Sequence, residues 1–173
     1  MKILITGVAG FIGFSLSRKL LMNKNYEIIG IDNLDSYYSV KLKKLRLKEL
    51  KKNKNFHFVK IDITNKKKLF NFFKNKKIDL IYHFAAQAGV RFSVSDPDKY
   101  FFNNIIAYLN MLEIVEKLKP KKFFFASSSS IYGDQSQKKY PLKENIKLNP
   151  KNIYGFSKYM NEIFSKYYSK KLK

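Results

Sequence analysis

"KILITGVAGFIGFSLSRKL", residues 2–20, decides how the rest of the chain is read. An apolar run at 2–7 reads as a buried strand. Gly7, Gly10 and Gly13 then space out as GxxGxxG, and a helical pattern follows. A single Lys before an apolar stretch also opens a signal peptide, but the glycines and the polar residues after them fit strand, turn and helix better. Small residues in such a turn let the backbone approach a neighbour closely. Taken alone, the spacing fits either a pyrophosphate cradle at a helix N-terminus or a tight turn with close helix packing.

The same alternation continues outward. "YEIIGID" (26–32), "FHFVKID" (56–62), "IDLIYHFAA" (78–86) and "KKFFFASSSS" (121–130) read as strands. Between them lie helical patterns. In "VKLKKLRLKELKKN" (40–53), Leu42, Leu45 and Leu50 form the apolar face. A short helix "KKLFNFFKN" follows Thr64, its expected cap. One long helix spans 96–118, opened by Asp96 and Pro97, and a last helix spans 153–170. Strand–helix alternation of this kind implies a parallel sheet covered by helices. The expected fold class is α/β, a doubly wound Rossmann sheet of order 3-2-1-4-5. No internal repeat or linker interrupts it, so residues 1–173 read as one domain.

With 45% hydrophobic and 28% charged residues, the chain has the balance of a soluble globular protein. No apolar run has the length of a membrane span. There are no cysteines, which excludes disulfides and thiolate metal sites, and no metal site is expected. A cytoplasmic protein is the simplest reading. The net charge of +22 points toward polyanions. Yet nearly all the excess is lysine scattered over most helices and loops, with arginine only at 18, 46 and 91. That distribution argues against specific nucleic-acid binding.

Four further features carry chemistry. Asp32 ends the second strand about twenty residues past the glycines, where a carboxylate accepts hydrogen bonds from an adenosine ribose. It would repel a 2′-phosphate, so NAD is expected over NADP. Asp62 ends the third strand and either contacts an adenine or caps the next helix. Tyr154 and Lys158, at i and i+4 in "NIYGFSKYMNE" (152–162), share one helix face. A free tyrosine titrates near pH 10, and a neighbouring ammonium favours the phenolate. Ser127 to Ser130, in "FASSSSIYGDQ", lie at the C-terminal end of the fifth strand, where ligands bind in such sheets.

Taken together, these residues resemble the N-terminal half of an extended short-chain dehydrogenase/reductase, the NAD-dependent epimerase/dehydratase family. The likeness runs from Lys2 to about Lys170. "GIDNLDSYYSVKLKKLRL", "HFAAQAGVRFSVSDPDKYFFNN", "ASSSSIYG" and "YGFSK" carry it, and within the family they are most similar to 4-epimerases of UDP-uronic acids. The resemblance implies that Gly7, Gly10 and Gly13, with Phe11 and Ile12, hold the pyrophosphate of NAD. It gives Asp32 and Asn33 the adenosine ribose, and Asp62 and Ile63 the adenine. Ala85, Ala86 and Asn103 line the cofactor. Ser128 is the catalytic serine, and Ser129 and Ser130 lie near the sugar. Tyr154 is the base, and Lys158 binds the nicotinamide ribose and tunes the tyrosine. Arg91 approaches the sugar or its carboxylate; the competing reading is a loop ion pair.

The expected activity is epimerisation at C4 of a nucleotide sugar (a UDP-uronic acid or UDP-hexose), with NAD reduced and regenerated within one turnover. Family dehydratases carry an acidic residue in the segment matching "SSSSIYG"; its absence here favours epimerisation over dehydration. Another epimerase, a dehydratase or reductase of the same family, and a non-catalytic NAD-binding module are the competing readings. Phe102 and Phe156 stand where relatives carry small or polar residues. The resemblance further implies a homodimer through helices 96–118 and 153–170. A substrate domain is expected to be absent, so the 173 residues alone are expected to be inactive on sugar nucleotides.

Overall fold

The computed structural model describes residues 1–136 and 140–171. Strand and helix alternate as β1 (Lys2–Thr6), α1 (Phe11–Leu20), β2 (Glu27–Asp32), α2 (Val40–Leu50), β3 (Phe56–Lys60), α3 (Lys66–Phe73) and β4 (Leu80–His83). Next come two single-turn helices, α4 (Phe92–Ser95) and α5 (Pro97–Tyr100), a π-helical turn (Phe101–Ile106) and α6 (Ala107–Leu118). Strand β5 (Lys122–Phe125), a 3₁₀ turn (Ser129–Ile131) and α7 (Ile153–Lys171) complete the order. The strands are all parallel and ordered β3-β2-β1-β4-β5, the Rossmann arrangement expected from the alternation. No helix among the described residues is long and apolar enough to cross a membrane.

The chain forms two compact units. The first holds residues 1–85 and 113–126, and the second holds 86–112 with the described residues from Ser127 onward. In the first unit, side-chain alternation on β1 sends Ile3 and Ile5 into a cluster with Val8, Leu21, Leu47, Leu50 and Phe56. Leu4 and Thr6 are equally buried, so both faces of β1 are covered. Gly30 on β2 is required by that packing. A Cβ there would lie 2.8 Å from the Val8 side chain and 2.9 Å from the Phe56 ring. Thr6 Oγ1 shares a 2.8 Å hydrogen bond with His83 Nδ1 and accepts from Ala85 N, tying β1 to the end of β4.

Several expectations are corrected here. The buried face of α2 consists of Leu47 and Leu50, and Leu45 is 55% exposed. Arg46 and Leu47, rather than Leu45, lie toward the core side, because the helix is rotated to pack on α1. The cap of α3 is Asn65, whose side chain accepts from Lys68 N; Thr64 is instead drawn to Asp62. Strands β4 and β5 stop at His83 and Phe125, short of Ala86 and Ser130, where their ladder pairing ends. The long helix 96–118 is not one α-helix. Asp96 caps its start as expected, but the π turn widens residues 101–106 before α6 begins. A π turn inserts a residue into the helical register, and here it accompanies a fully inward Asn104, 1% exposed.

Candidate active site

In the first unit the glycine turn is shaped by close backbone approach. Gly7 adopts φ +69°, and a Cβ there would lie 2.7 Å from Ala85 N. A Cβ on Gly13 would lie 2.3 Å from Gly7 O, so α1 can start only if position 13 is bare. A Cβ on Gly10 would meet Gly7 O alone, at 3.1 Å, so the backbone at the helix entrance faces open space. Gly10 is the N-cap of α1 and provides no side-chain cap. The first amides of a helix have no partner inside it, and Phe11 and Ile12 in that turn are 75% and 54% exposed. A bare, outward-facing helix N-terminus with no acidic residue in its first turn fits the pyrophosphate of a dinucleotide.

Asp32 does more than the sequence reading asked of it. Its Oδ2 accepts from Ala9 N at 3.0 Å and its Oδ1 from Leu34 N at 2.8 Å. The carboxylate therefore anchors the glycine turn and also the loop after β2. Each oxygen keeps a second lone pair for a ribose hydroxyl. Asn33 donates to Asp62 Oδ2 at 3.0 Å, and Thr64 donates to Asp62 Oδ1 through its amide and its hydroxyl. Burial works against ionisation of Asp62, but these donors outweigh it and hold the carboxyl below the usual aspartate value. Ile63, beside it, is buried, and Ala85 is half-buried.

The second unit assembles the serine, tyrosine and lysine. Asn152 opens α7, its side chain accepting from Gly155 N at 2.8 Å. Tyr154 is half-buried, with its ring edge-on to Tyr100 at 6.1 Å. Tyr100 is fully buried and donates to Ala88 O and Gly89 O. Ser128 caps the 3₁₀ turn by accepting from Ser130 N at 3.2 Å. That turn lies directly on α7, since a Cβ on Gly155 would fall 2.6 Å from Ser130 O. The glycine between Tyr154 and Phe156 thus lets the serine turn reach the tyrosine's helix. Phe156 and Phe102, the two departures from the family pattern, are 52% and 54% exposed and do not fill this space.

Lys158 is 4% exposed, and burial pushes its ammonium down to about 8 from 10.5. Its chain neighbour Ser157 belongs to a buried polar set, with Asn104 and Gln87, that the sequence reading missed. Asn104 Nδ2 donates to Ser157 Oγ at 3.0 Å and to Gln87 O at 3.0 Å, and Asn104 Oδ1 accepts from Gln87 N at 2.7 Å. Asn103, the residue named from the sequence, is half-buried beside it. Ser127 donates to Glu162 Oε1 at 2.5 Å, one turn beyond Lys158. The only sequence signal for Asn104 is the Asn-Asn doublet, and the π turn decides which of the two faces inward. Arg91 and Ala86 are exposed, as is Ser129, and Ser130 is half-buried.

A doubly wound sheet with a glycine turn after β1, and a Tyr-x-x-x-Lys helix carrying a serine turn, are the marks of an extended short-chain dehydrogenase/reductase. Comparison with known proteins is narrower: the chain belongs to the family described as GDP-mannose 4,6 dehydratase, whose model matches residues 4–173. It is 42% identical over 163 residues to a UDP-glucuronate 4-epimerase of Thermodesulfobacterium geofontis, covering 94% of this chain and 49% of that protein. It is 40% identical over 169 residues to protein CapI of Staphylococcus aureus, covering 98% of this chain and 50% of that one. Among solved structures, it is similar to the UDP-glucuronic acid 4-epimerase of Bacillus cereus in complex with UDP-glucuronic acid and NAD. The TM-score is 0.87 at 37% identity, over 98% of this chain and 52% of the other. The chain spans about half the length of the curated relatives it matches.

The buried lysine makes the site's electrostatics measurable. Its ammonium gives up a proton near pH 8 in the fold and near 10.5 when unfolded. Between those values the folded state binds fewer protons, so stability rises with pH there, and below pH 8 the full penalty stands. Lys158→Met is expected to stabilise the ligand-free chain at pH 7 by about 3 kcal/mol, the value of a shift of this size. That advantage should shrink between pH 8 and 10.5. Urea unfolding of both proteins across this range checks it, and a gap that is absent or flat with pH contradicts it.

Proposed function

We propose that this chain is the NAD-binding part of a nucleotide-sugar 4-epimerase of the UDP-glucuronate to UDP-galacturonate type. The observation that carries the reading is the seating of the serine turn on Gly155, which puts Ser128 and Tyr154 in one body with the buried Lys158. The names of the relatives support the substrate class, and the missing acidic residue in "SSSSIYG" favours epimerisation over dehydration.

In this reading Gly7, Gly10 and Gly13, with the amides of Phe11 and Ile12, hold the pyrophosphate. Asp32 and Asn33 accept and donate to the adenosine ribose, and Asp62 and Ile63 flank the adenine. Ala85 and Ala86 line the cofactor, and Asn103 contacts it. Bound NAD supplies a reversible two-electron acceptor for sugar C4. Tyr154, as phenolate, takes the proton of the C4 hydroxyl as that carbon is oxidised, and returns it after the 4-keto sugar has presented its other face. Ser128 donates a hydrogen bond to the same oxygen, with Ser129, Ser130 and Arg91 toward the sugar. Lys158 places its charge near the phenolate and holds the nicotinamide ribose. Residues 1–173 supply the NAD-binding part of that enzyme, and by themselves bind NAD weakly and turn over no sugar nucleotide.

Removing the base tests the assignment. Tyr154→Phe is expected to leave folding and NAD binding intact. Turnover should fall about 10²- to 10⁴-fold in an enzyme made by joining residues 1–173 to the remaining half of the Bacillus cereus relative. Near-normal turnover by the variant removes Tyr154 from the mechanism. The helices also suit self-association: Phe101, Phe102, Phe156, Ile163 and Tyr167 are all between 43% and 64% exposed. Sedimentation velocity is expected to show a homodimer built through the helical segments 96–118 and 153–170; a monomer at high micromolar concentration rules that out.

A further inference from the structure

Ala9, at the tip of the glycine turn, is completely buried and has both backbone groups engaged. Its N–H donates to Asp32 Oδ2, and its carbonyl accepts from Arg46 Nη1 at 3.2 Å. Arg46 reaches there from the middle of α2. Its guanidinium carbon lies 5.9 Å from the Phe14 ring on α1 and 5.9 Å from the Tyr38 ring in the loop before α2. One side chain therefore joins three pieces of the first unit at the turn. Neither the charge pattern nor the motif spacing marks Arg46, one of three arginines in a lysine-rich chain.

We propose that Arg46 is a positioning residue for the dinucleotide turn. The peptide group is planar, so fixing the Ala9 carbonyl also fixes the Gly10 N–H in the same plane. That N–H closes the turn on Gly7 O at 3.0 Å, and Gly10 is the N-cap of α1. Arg46 and Asp32 thus hold opposite sides of Ala9 and set the direction in which the first amides of α1 point. A planar guanidinium can stack on aromatic faces while donating in its own plane, and an ammonium cannot do both.

The inference rests on the reading of this turn as an NAD site. The test titrates residues 1–173 and the variants Arg46→Met and Arg46→Lys with NAD and NADP, and follows amide hydrogen exchange without ligand. The unchanged chain is expected to bind NAD in preference to NADP. Arg46→Met should bind NAD about ten- to a hundredfold more weakly, the range for losing one charged hydrogen bond. Exchange at Ala9 and Gly10 should accelerate while amides of β3 and α3 stay as they were, a selectivity that simple loss of packing would not give. Arg46→Lys keeps the charge and a donor, guards against a variant that fails to fold, and should fall between the two. If the unchanged chain takes up neither dinucleotide, the NAD reading fails and this proposal with it. If it binds NAD and both variants match it, with Ala9 exchange unaltered, the proposal alone is overturned.

Discussion

A single carboxylate organises the first unit. Asp32 ends β2 and accepts at once from Ala9 N in the glycine turn and from Leu34 N in the following loop. Leu34 is held at φ +61°, a conformation a non-glycine residue adopts only when its surroundings enforce it. The turn can come that close only because Gly7 and Gly13 carry no Cβ and Gly30 leaves room for Val8. Glycine spacing, strand register and the aspartate are therefore one constraint. The lock on the local fold is the same group that is proposed to take the cofactor ribose, so a substitution of Asp32 would disturb both.

The second unit follows a different logic. Beside apolar side chains such as Tyr100, Met111 and Leu112 it buries a polar set: Asn104, Ser157, Lys158 and Asn161 are each at most 4% exposed. Buried polar groups stabilise a fold only when they are paired. Asn104 is fully paired with Gln87 and Ser157, whereas Asn161 Oδ1 has no hydrogen-bond partner among the described residues. Lys158 is held in a setting that disfavours its charge. A unit built for stability alone would carry apolar residues at these positions. A buried ammonium one helical turn from a tyrosine is the arrangement that the proposed proton transfer would use.

Much of this was legible in the sequence because it rests on local pattern. The strand–helix alternation, the order 3-2-1-4-5, the glycine turn and the placing of Asp32 at a strand end follow from periodicity and from rules on parallel connections. The Asp96 cap followed from residue type. What escaped depends on neighbours distant in sequence. Leu45 fits a helical stripe, but contact with α1 turns Leu47 and Leu50 inward instead. Thr64 is as good a cap as Asn65 until Asp62 captures its hydroxyl. Asn103 and Asn104 cannot be told apart until the π turn fixes the register. Arg46 looks like any cation on a surface helix until α2 is laid against the turn.

The central claim, that this fold serves reversible oxidation at C4 of a UDP-uronic acid, is tested most directly by following the C4 hydrogen. UDP-glucuronate deuterated at C4 would be given, with NAD, to the enzyme completed by the remaining half of a relative. The account predicts UDP-galacturonate that keeps its deuterium at C4, with no net accumulation of NADH. Product whose C4 deuterium has exchanged with solvent, or loss of water in place of isomerisation, would contradict it.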